Sequence, residues 1–575
     1  MKSRKMLFAI VAIFIMITVL FAACKKKNVE GAAYVTDENG VQLTDVNGEP
    51  ITIIPETSVV TITDGNGNVV TNANGEPETS IYYKPQQVVV PVTNENHEAV
   101  TGPNGEILTT VIWFPADPTT TAIETVTVTD SNGNPVTTPE GNPVTETTIV
   151  SAANKSFLKT IGGTTGFDEA IAIEPALDGG TFAIVSGTSK DGLFASISNT
   201  KDNAFSICKH DAEGTLVWSK AFGGASSVSA QDICTTSDGG IVIVGQTRAN
   251  DFMSVHGSEY DAFIMKLDKD GNEVFRKPWG GTSNENFFGV EVAPDGSIYA
   301  AGFAYSQDGD TASLAISAGD ARAVIVKYDS NGNVLKTVGV CGFGDYFTDI
   351  DIAKNGDVFA VASISASSTQ NLFEKRGRSD AAVFKFDKDL NVKFSKLFGG
   401  SGIDRFEAIA TTDDGGCVIA GASTSSNGDL GSEYVKNKGG EDAVIAKFSG
   451  SGSLLFVKSF YGDKNESFKD VTITPQGYII AVGESQSATR DFIAVGKNKG
   501  GKDAFAVKYD ANGNLQAAEK GFCGSADDSA LAVCVMTNGQ VVMAGKSTST
   551  DEDFSGKKPA SDGTNSIAVI KTLSF

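Results

Sequence analysis

Between residues 156 and 575, apolar and polar positions follow one another in the same order seven times over. In the fifth round the apolar "FEAIATT" meets the polar turn "DDGG" and a nearly unbroken apolar run, "CVIAGAS", follows. A long polar loop then leads to "DAVIAKF", and a second glycine turn leads to "LLFVKSF". Short runs rich in Val, Ile, Phe and Ala, cut by glycine turns, predict four strands per round. Two markers fix the count. A turn glycine recurs at Gly179, Gly239, Gly296, Gly356, Gly415, Gly477 and Gly539, at intervals of 57 to 62 residues, and a lysine recurs at Lys209, Lys266, Lys327, Lys385, Lys447, Lys508 and Lys571. Continuous apolar runs such as "IVIVG" suit strands covered on both faces, as when small sheets stack around an axis. The fold class expected is all-β: a seven-bladed propeller of four-stranded blades. The seventh round, "TNSIAVIKTLSF", stops after its third strand, while an orphan strand, "KSFLKTIGG" at 155–163, precedes the first and matches "VWSKAFGG" and "KFSKLFGG". The orphan fills the vacancy and closes the ring, leaving no exposed edge at the seam. An open solenoid would need polar caps at both ends, and neither end shows one.

The first 23 residues read differently. Lys2, Arg4 and Lys5 precede an apolar run from Met6 to Phe21, which is the pattern of an export signal. It closes on "LFAAC", which resembles the lipobox of bacterial lipoproteins. That resemblance implies cleavage before Cys24, acylation of its thiol, and a chain tethered outside the membrane; an uncleaved anchor is the competing reading. Phe21 stands where the family usually has leucine. From Cys24 to Val150 lies a separate acidic segment with 11 of the chain's 16 prolines and, after Lys27, only Lys84 for a positive charge. Its weak repeat, from "VTDENGVQLTDVNGEPITI" to "VTDSNGNPVTTPEGNPVTETTIV", alternates Val and Thr around Asn-Gly pairs. Asn-Gly is a hairpin turn signal, but single hairpins bury little. A spacer of β-hairpin-like or extended chain is expected over 24–150, with the propeller over 151–575. The alternative, a small binding domain built on "SIYY" and "TTVIWF", stays open.

Charge excludes one class of partner. At −24 and a pI near 4.6 the chain lacks the basic footprint of nucleic-acid binding. Motifs exclude more. Three histidines, no Cys-x-x-Cys pair, no phosphate loop and no Gly-x-Ser-x-Gly elbow leave nothing that announces an enzyme. A carbohydrate-active enzyme would need carboxylates converging on the propeller axis at ~5 to 10 Å. The six cysteines after Cys24 occupy scattered apolar or glycine-equivalent positions, which favours buried thiols over bridges. "HDAEGTLVW", ending at Trp218, faintly resembles the tryptophan-docking turn of quinoprotein propellers, but other rounds carry Phe275, Leu335, Phe394, Phe456 or Gln516 there. No cofactor is expected. Calcium on the turns of Asp268, Asp329 and Asp510 competes with the plain demand of tight hairpins for Asp and Asn.

The FGG, DGG, AG and GGxDA signposts of "FGGSGIDRFEAIATTDDGGCVIAGASTSSNGDLGSEYVKNKGGEDAVIAKF" resemble the repeat of bacterial cell-surface propellers of the SBBP type, over about residues 156–575. The resemblance implies a surface or secreted propeller and transfers no catalytic residue. Loops on a rigid scaffold are where binding usually resides. The loops between second and third strands place Lys436, Lys438, Lys497, Lys499, Lys502, Lys557 and Lys558 on three adjacent blades, with Tyr434 and Tyr260 nearby. These residues are the candidate site, a basic arc for a glycan, an anionic wall polymer or a surface protein. The plain reading of the lysines is solubility. The loops also carry Phe252, Phe373 and Phe492, which with Tyr260 and Tyr434 could stack on sugars, but the recurring Asp-Phe and Asp-Leu steps predict that several of these rings pack inward. The function expected is a lipid-anchored, non-enzymatic binding or interaction module; a carbohydrate-active enzyme and a purely structural surface protein are the alternatives.

Overall fold

The computed structural model describes residues 156–197, 203–314, 321–340, 344–365, 376–431, 440–496, 498–555 and 566–574, together with the strands before residue 151. The chain divides into two compact units, Met1–Lys155 and Ser156–Phe575. In the first, four two-stranded antiparallel ladders pair Ala33–Tyr34 with Thr52–Ile53, Thr57–Thr61 with Thr79–Tyr83, Gln86–Pro91 with Thr109–Phe114, and Ala122–Thr127 with Thr145–Val150. Both expected apolar stretches, "SIYY" and "TTVIWF", supply strands. Each ladder pairs strands on either side of a whole repeat, residues 62–78 in the second.

The second unit is a ring of seven four-stranded antiparallel sheets. In blade 5 the strands Asp404–Thr411, Cys417–Ser423, Asp442–Phe448 and Leu454–Phe460 lie side by side in chain order, from first to fourth. The first strands contact one another around the ring, including Asp168–Pro175 of blade 1 with Asp528–Val535 of blade 7. Second strands are dry on both faces: Ile241, Val242, Ile243 and Val244 are all fully buried. Cores form between sheets. Phe182, Ile184 and Phe205 of blade 1 pack on Ile233, Ile243 and Phe263 of blade 2, and at the seam Ala183, Val185 and Cys208 pack on Ala532, Val542 and Ile570. The five described cysteines are buried free thiols.

Blade 7 is completed as the pattern predicts. Leu158–Ile161 takes its fourth place, pairing antiparallel to Ile567–Thr572. The lysine series, however, slips in its last member. Lys266 pairs with Val242, the second residue of its neighbouring strand, whereas Lys571 pairs with Met543, the third residue of Val541–Ser547. Side chains alternate with period two, so the one-residue offset turns Lys571 to the other face. There it donates to the Lys520 and Gly521 carbonyls. Thr572 holds the lysine's place, and its Oγ1 accepts the Phe157 amide at 2.8 Å, tying the closing strand down.

Two further devices join blades. Lys209, Lys266, Lys385 and Lys447 donate to Asp178, Asp238, Asp357 and Asp414 in the first turns of their own blades at 2.6–2.9 Å. Lys385 and Lys447 also reach the turn carbonyls of Gly450 and Ala511 in the next blade. Trp218 belongs to the second device. A Cβ on Gly271 of blade 2 would lie 2.9 Å from its ring, and Phe275, Phe394 and Phe456 crowd Gly332, Gly452 and Gly513 in the same way. The aromatic residue is a wedge under the neighbouring turn, so a residue without Cβ must follow it there.

Candidate functional site

Where the connections between second and third strands emerge, the inner strands build a mouth with two unlike walls. On blades 3 and 4, Phe288 and Tyr346 of the first strands, Phe303 of the second strand of blade 3 and Tyr305 just past its end form a chain of rings. Centroids are 5.6 Å apart for Phe288 and Tyr346, 5.9 Å for Phe288 and Phe303, and 5.5 Å for Phe303 and Tyr305, all tilted or edge-on. All four rings are partly exposed, unlike Phe287 and Phe347 beside them, which are fully buried. Asn286, which opens this wall, is 3% exposed, and its Oδ1 has no hydrogen-bond donor among the described residues.

The opposite wall, on blades 5, 6, 7 and 1, is polar. Lys469 bridges to Glu407 at 3.1 Å, Lys502 to Glu484 at 2.7 Å, and Lys546 to Glu169 at 2.6 Å. The Ser529 hydroxyl donates to Glu484 as well. Burial works against the charge on Glu484, but Lys502 and Ser529 outweigh it and hold the carboxyl below its ordinary range. Apolar ring faces on one side and fixed donors and acceptors on the other suit a ligand with both characters.

Below the mouth, carboxylates gather round the axis. Asp232, Asp349 and Asp470, on alternate blades, accept the amides of Val290, Ile409 and Val533 in the following blade at 2.7–2.8 Å. Their other oxygens take the amides of Ile233, Ile350 and Val471. The receiving blades carry the small residues Gly289, Ala408 and Ala532 at the matching place. Asp351 staples Thr411 in the same manner, and Glu291 lies 3.5 Å from the Cys234 thiol. Desolvation dominates these groups. It lifts Glu174 to about 8 with help from Asp232, Asp470 to about 7 and Asp232 to about 6, and it raises Glu291 and Asp349 further. Carboxylates therefore do converge on the axis, and the aspartates among them hold blade to blade through backbone amides.

The residues singled out from sequence are placed as follows. Lys499 pairs with Glu552 at 3.1 Å and Lys502 with Glu484, so both described lysines of the arc carry acidic partners. The Arg248 guanidinium sits over the Tyr260 ring at 5.1 Å. Cys24, Phe373, Tyr434, Lys436, Lys438, Lys497, Lys557 and Lys558 lie outside the described residues. Phe252 and Phe492 are buried, 7% and 2% exposed, as the recurring Asp-Phe and Asp-Leu steps suggest. In the hairpin turns, Asp268 Oδ1 accepts the amides of Asp270 and Asn272, and Asp329 and Asp510 repeat the arrangement, so these carboxylates serve the turns themselves. The mouth escaped the sequence reading because its rings lie one repeat apart and look like any strand aromatics. One signal existed: "NFFGV" and "DYFTD" carry paired aromatics where other rounds carry one or none.

No family model matches the chain, and no curated protein is significantly similar to it. Solved structures resemble it in fold. The WD40 domain of Pan2 from Neurospora crassa aligns at 10% identity over 73% of this chain and 97% of its own, with a TM-score of 0.39. The β-propeller domain of the Trilobed protease from Pyrococcus furiosus aligns at 7% identity over 67% and 90%, with a TM-score of 0.37. A protein of unknown function from Dyadobacter fermentans aligns at 12% identity over 73% and 98%, also at 0.37.

Proposed function

We propose that this chain is an extracytoplasmic binding protein, tethered to a bacterial membrane through an acylated Cys24, whose propeller takes a saccharide-containing ligand at the axial mouth. The observation that carries the reading is the run of partly exposed rings, Phe288, Phe303, Tyr305 and Tyr346, facing the ion-paired wall of Glu169, Glu407 and Glu484. Pyranose rings present an apolar C–H face to an aromatic and hydroxyls to fixed charges. The mouth is favoured over the lysine arc because, of the arc's two described lysines, Lys499 is paired with Glu552 and Lys502 belongs to the mouth's own wall through Glu484. The resemblance to SBBP-type surface repeats supports the surface location, and the lipobox-like "LFAAC" supports the tether. The activity proposed is binding without turnover.

The test is a glycan and wall-polymer array probed with the full-length protein and with Phe288→Ala/Tyr346→Ala. A saccharide signal weakened about tenfold or more in the variant, with unchanged circular dichroism, is the expected result. A signal that ignores these rings but is abolished by salt moves the site to the lysine loops, and saccharide turnover would replace binding with catalysis. For the tether, Cys24→Ala is expected to move the protein out of the lipid-modified membrane fraction. An unchanged distribution removes the lipoprotein reading.

A further inference from the structure

At six of the seven blade junctions the start of a third strand meets the start of the next blade's first strand. The backbone shows the contact: the amides of Val228, Glu285, Glu466 and Asp528 donate to the carbonyls of Asn203, Tyr260, Glu441 and Lys502 at 2.7–3.1 Å, and Ser379 bridges Ile403. Around the ring the facing pairs are Ala204 with Val228, Asp261 with Glu285, Arg322 with Asp345, Asp380 with Asp404, Asp442 with Glu466, Asp503 with Asp528, and Ile567 with Asp168. A third-strand aspartate occurs only where an acid faces it. One junction is apolar on both sides, and one supplies an arginine.

The acids are buried: Asp261, Glu285, Asp404 and Asp528 fully, Asp380 at 1% exposed and Asp503 at 7%. In each third-strand aspartate whose bonds are described, one oxygen caps the returning loop, accepting the amide of His256, Arg376 or Lys499 at 2.8–3.0 Å. The other oxygen, Oδ1 of Asp261, Asp380 or Asp503, has no donor among the described residues. Two of the facing acids, Asp404 and Glu285, are supplied with donors on both oxygens, whereas Asp528 Oδ1 also has none among the described residues. Asp404 takes the Gly400 amide and the hydroxyls of Ser423 and Ser425, and Glu285 takes the amides of Gly281, Tyr305 and Ser306. At Gly399 the two carboxylates converge: a Cβ there would lie 2.5 Å from Asp380 Oδ1 and 2.7 Å from Asp404 Oδ2.

We infer that three junctions, Asp261 with Glu285, Asp380 with Asp404 and Asp503 with Asp528, are proton-binding sites, in which each pair keeps one proton at neutral pH and shares one negative charge. An oxygen without a donor in a dry site becomes a donor once it carries a proton, and two adjacent buried carboxylates cannot both ionise cheaply. Charged neighbours differ between sites without replacing the proton. His256 Nδ1 lies 2.6 Å from Asp261 Oδ2, with Asp310 beyond; Arg376 is tied to Asp429; Lys499 is tied to Glu552; and Lys520 and Asp553 complete the surroundings of Asp503. Burial raises Asp261, Asp380 and Asp503, and it lifts Asp528 to about 7 with a contribution from Asp503. The propeller is then a proton-loaded ring whose junctions tighten in acid and loosen as the pH rises.

The test compares the full-length protein with Asp503→Asn and, separately, Asp380→Asn, whose amides supply the donor permanently. In chemical denaturation between pH 5 and 7, the slope of the logarithm of the unfolding constant against pH is expected to fall by about one per pair replaced. The infrared band of protonated carboxyl groups at pH 7 is expected to lose intensity in both variants. An unchanged slope and band in folded variants would overturn the inference, as would a loss of stability equal at pH 5 and pH 8.

Discussion

Lys385 shows how much one side chain does in this fold. It is 6% exposed, donates to Asp357 at 2.9 Å and to Gly450 of the next blade at 3.0 Å, and covers the Phe359 ring at 4.7 Å. Lys385→Met leaves Asp357 with Lys393 as its remaining cation. Breaking a buried pair costs several kcal/mol, and the remaining partner softens the loss, so a decrease of about 2–3 kcal/mol in denaturant unfolding is expected. Gly399 is constrained differently. At φ 158 its Cα faces two carboxylate oxygens, and Gly399→Ala is expected to cost about 1–3 kcal/mol by the same measurement. The lysine was legible as a recurring letter because a period needs only the sequence. Its aspartate in the blade's own first turn and its carbonyl in the next blade were not, since spacing does not show which turns come together, and Lys571 shows that the letter alone can stand one residue out of place.

Strands and their joints behave as the apolar pattern dictates, except where closure intervenes. The seam depends on Leu158–Ile161, with Phe157 packed in the core shared by blades 7 and 1. Deleting residues 151–166 would strip blade 7 of its outer strand and bare an edge. The deletion is expected to lower the thermal midpoint by well over 10 °C or to yield aggregates, and an unchanged midpoint would refute closure by this strand. A milder variant isolates the register: Thr572→Val removes the acceptor for the Phe157 amide and is expected to cost about 1–2 kcal/mol. In the wedges, Gly271→Ala would drive a methyl into Trp218, and a Trp218→Ala background should relieve that strain. A double-mutant cycle with no coupling between the two would show the ring is not a wedge.

For the molecule as a whole, the dominant electrostatic fact is a set of carboxylates whose folded state holds protons that the unfolded chain releases. Glu174 near 8, Asp470, Glu466 and Asp528 near 7 and Asp232 near 6 all stand above the ordinary ~4 of an exposed carboxyl. Between about pH 4 and 8 the folded state binds more protons than the unfolded, so stability is greatest on the acid side and falls as the pH rises through that window. Carboxylates held low by cations, such as Asp238 near 2 beside Lys266, lose their contribution only below about pH 4. A thermal midpoint highest near pH 5 and lower at pH 8 is expected; a midpoint that climbs steadily to pH 8 would contradict the proton-loaded ring. The sequence by itself determined the number of blades, the order of strands and the strand that closes the ring, because glycine turns and apolar runs are local and recur with a readable period. Only the tertiary structure decided the aromatic mouth, the axial staples and the acid pairs. Phe288 meets Tyr346, and Asp380 meets Asp404, through the stacking of neighbouring blades, so beyond the paired aromatics of "NFFGV" and "DYFTD" nothing within one repeat says which of these residues come together.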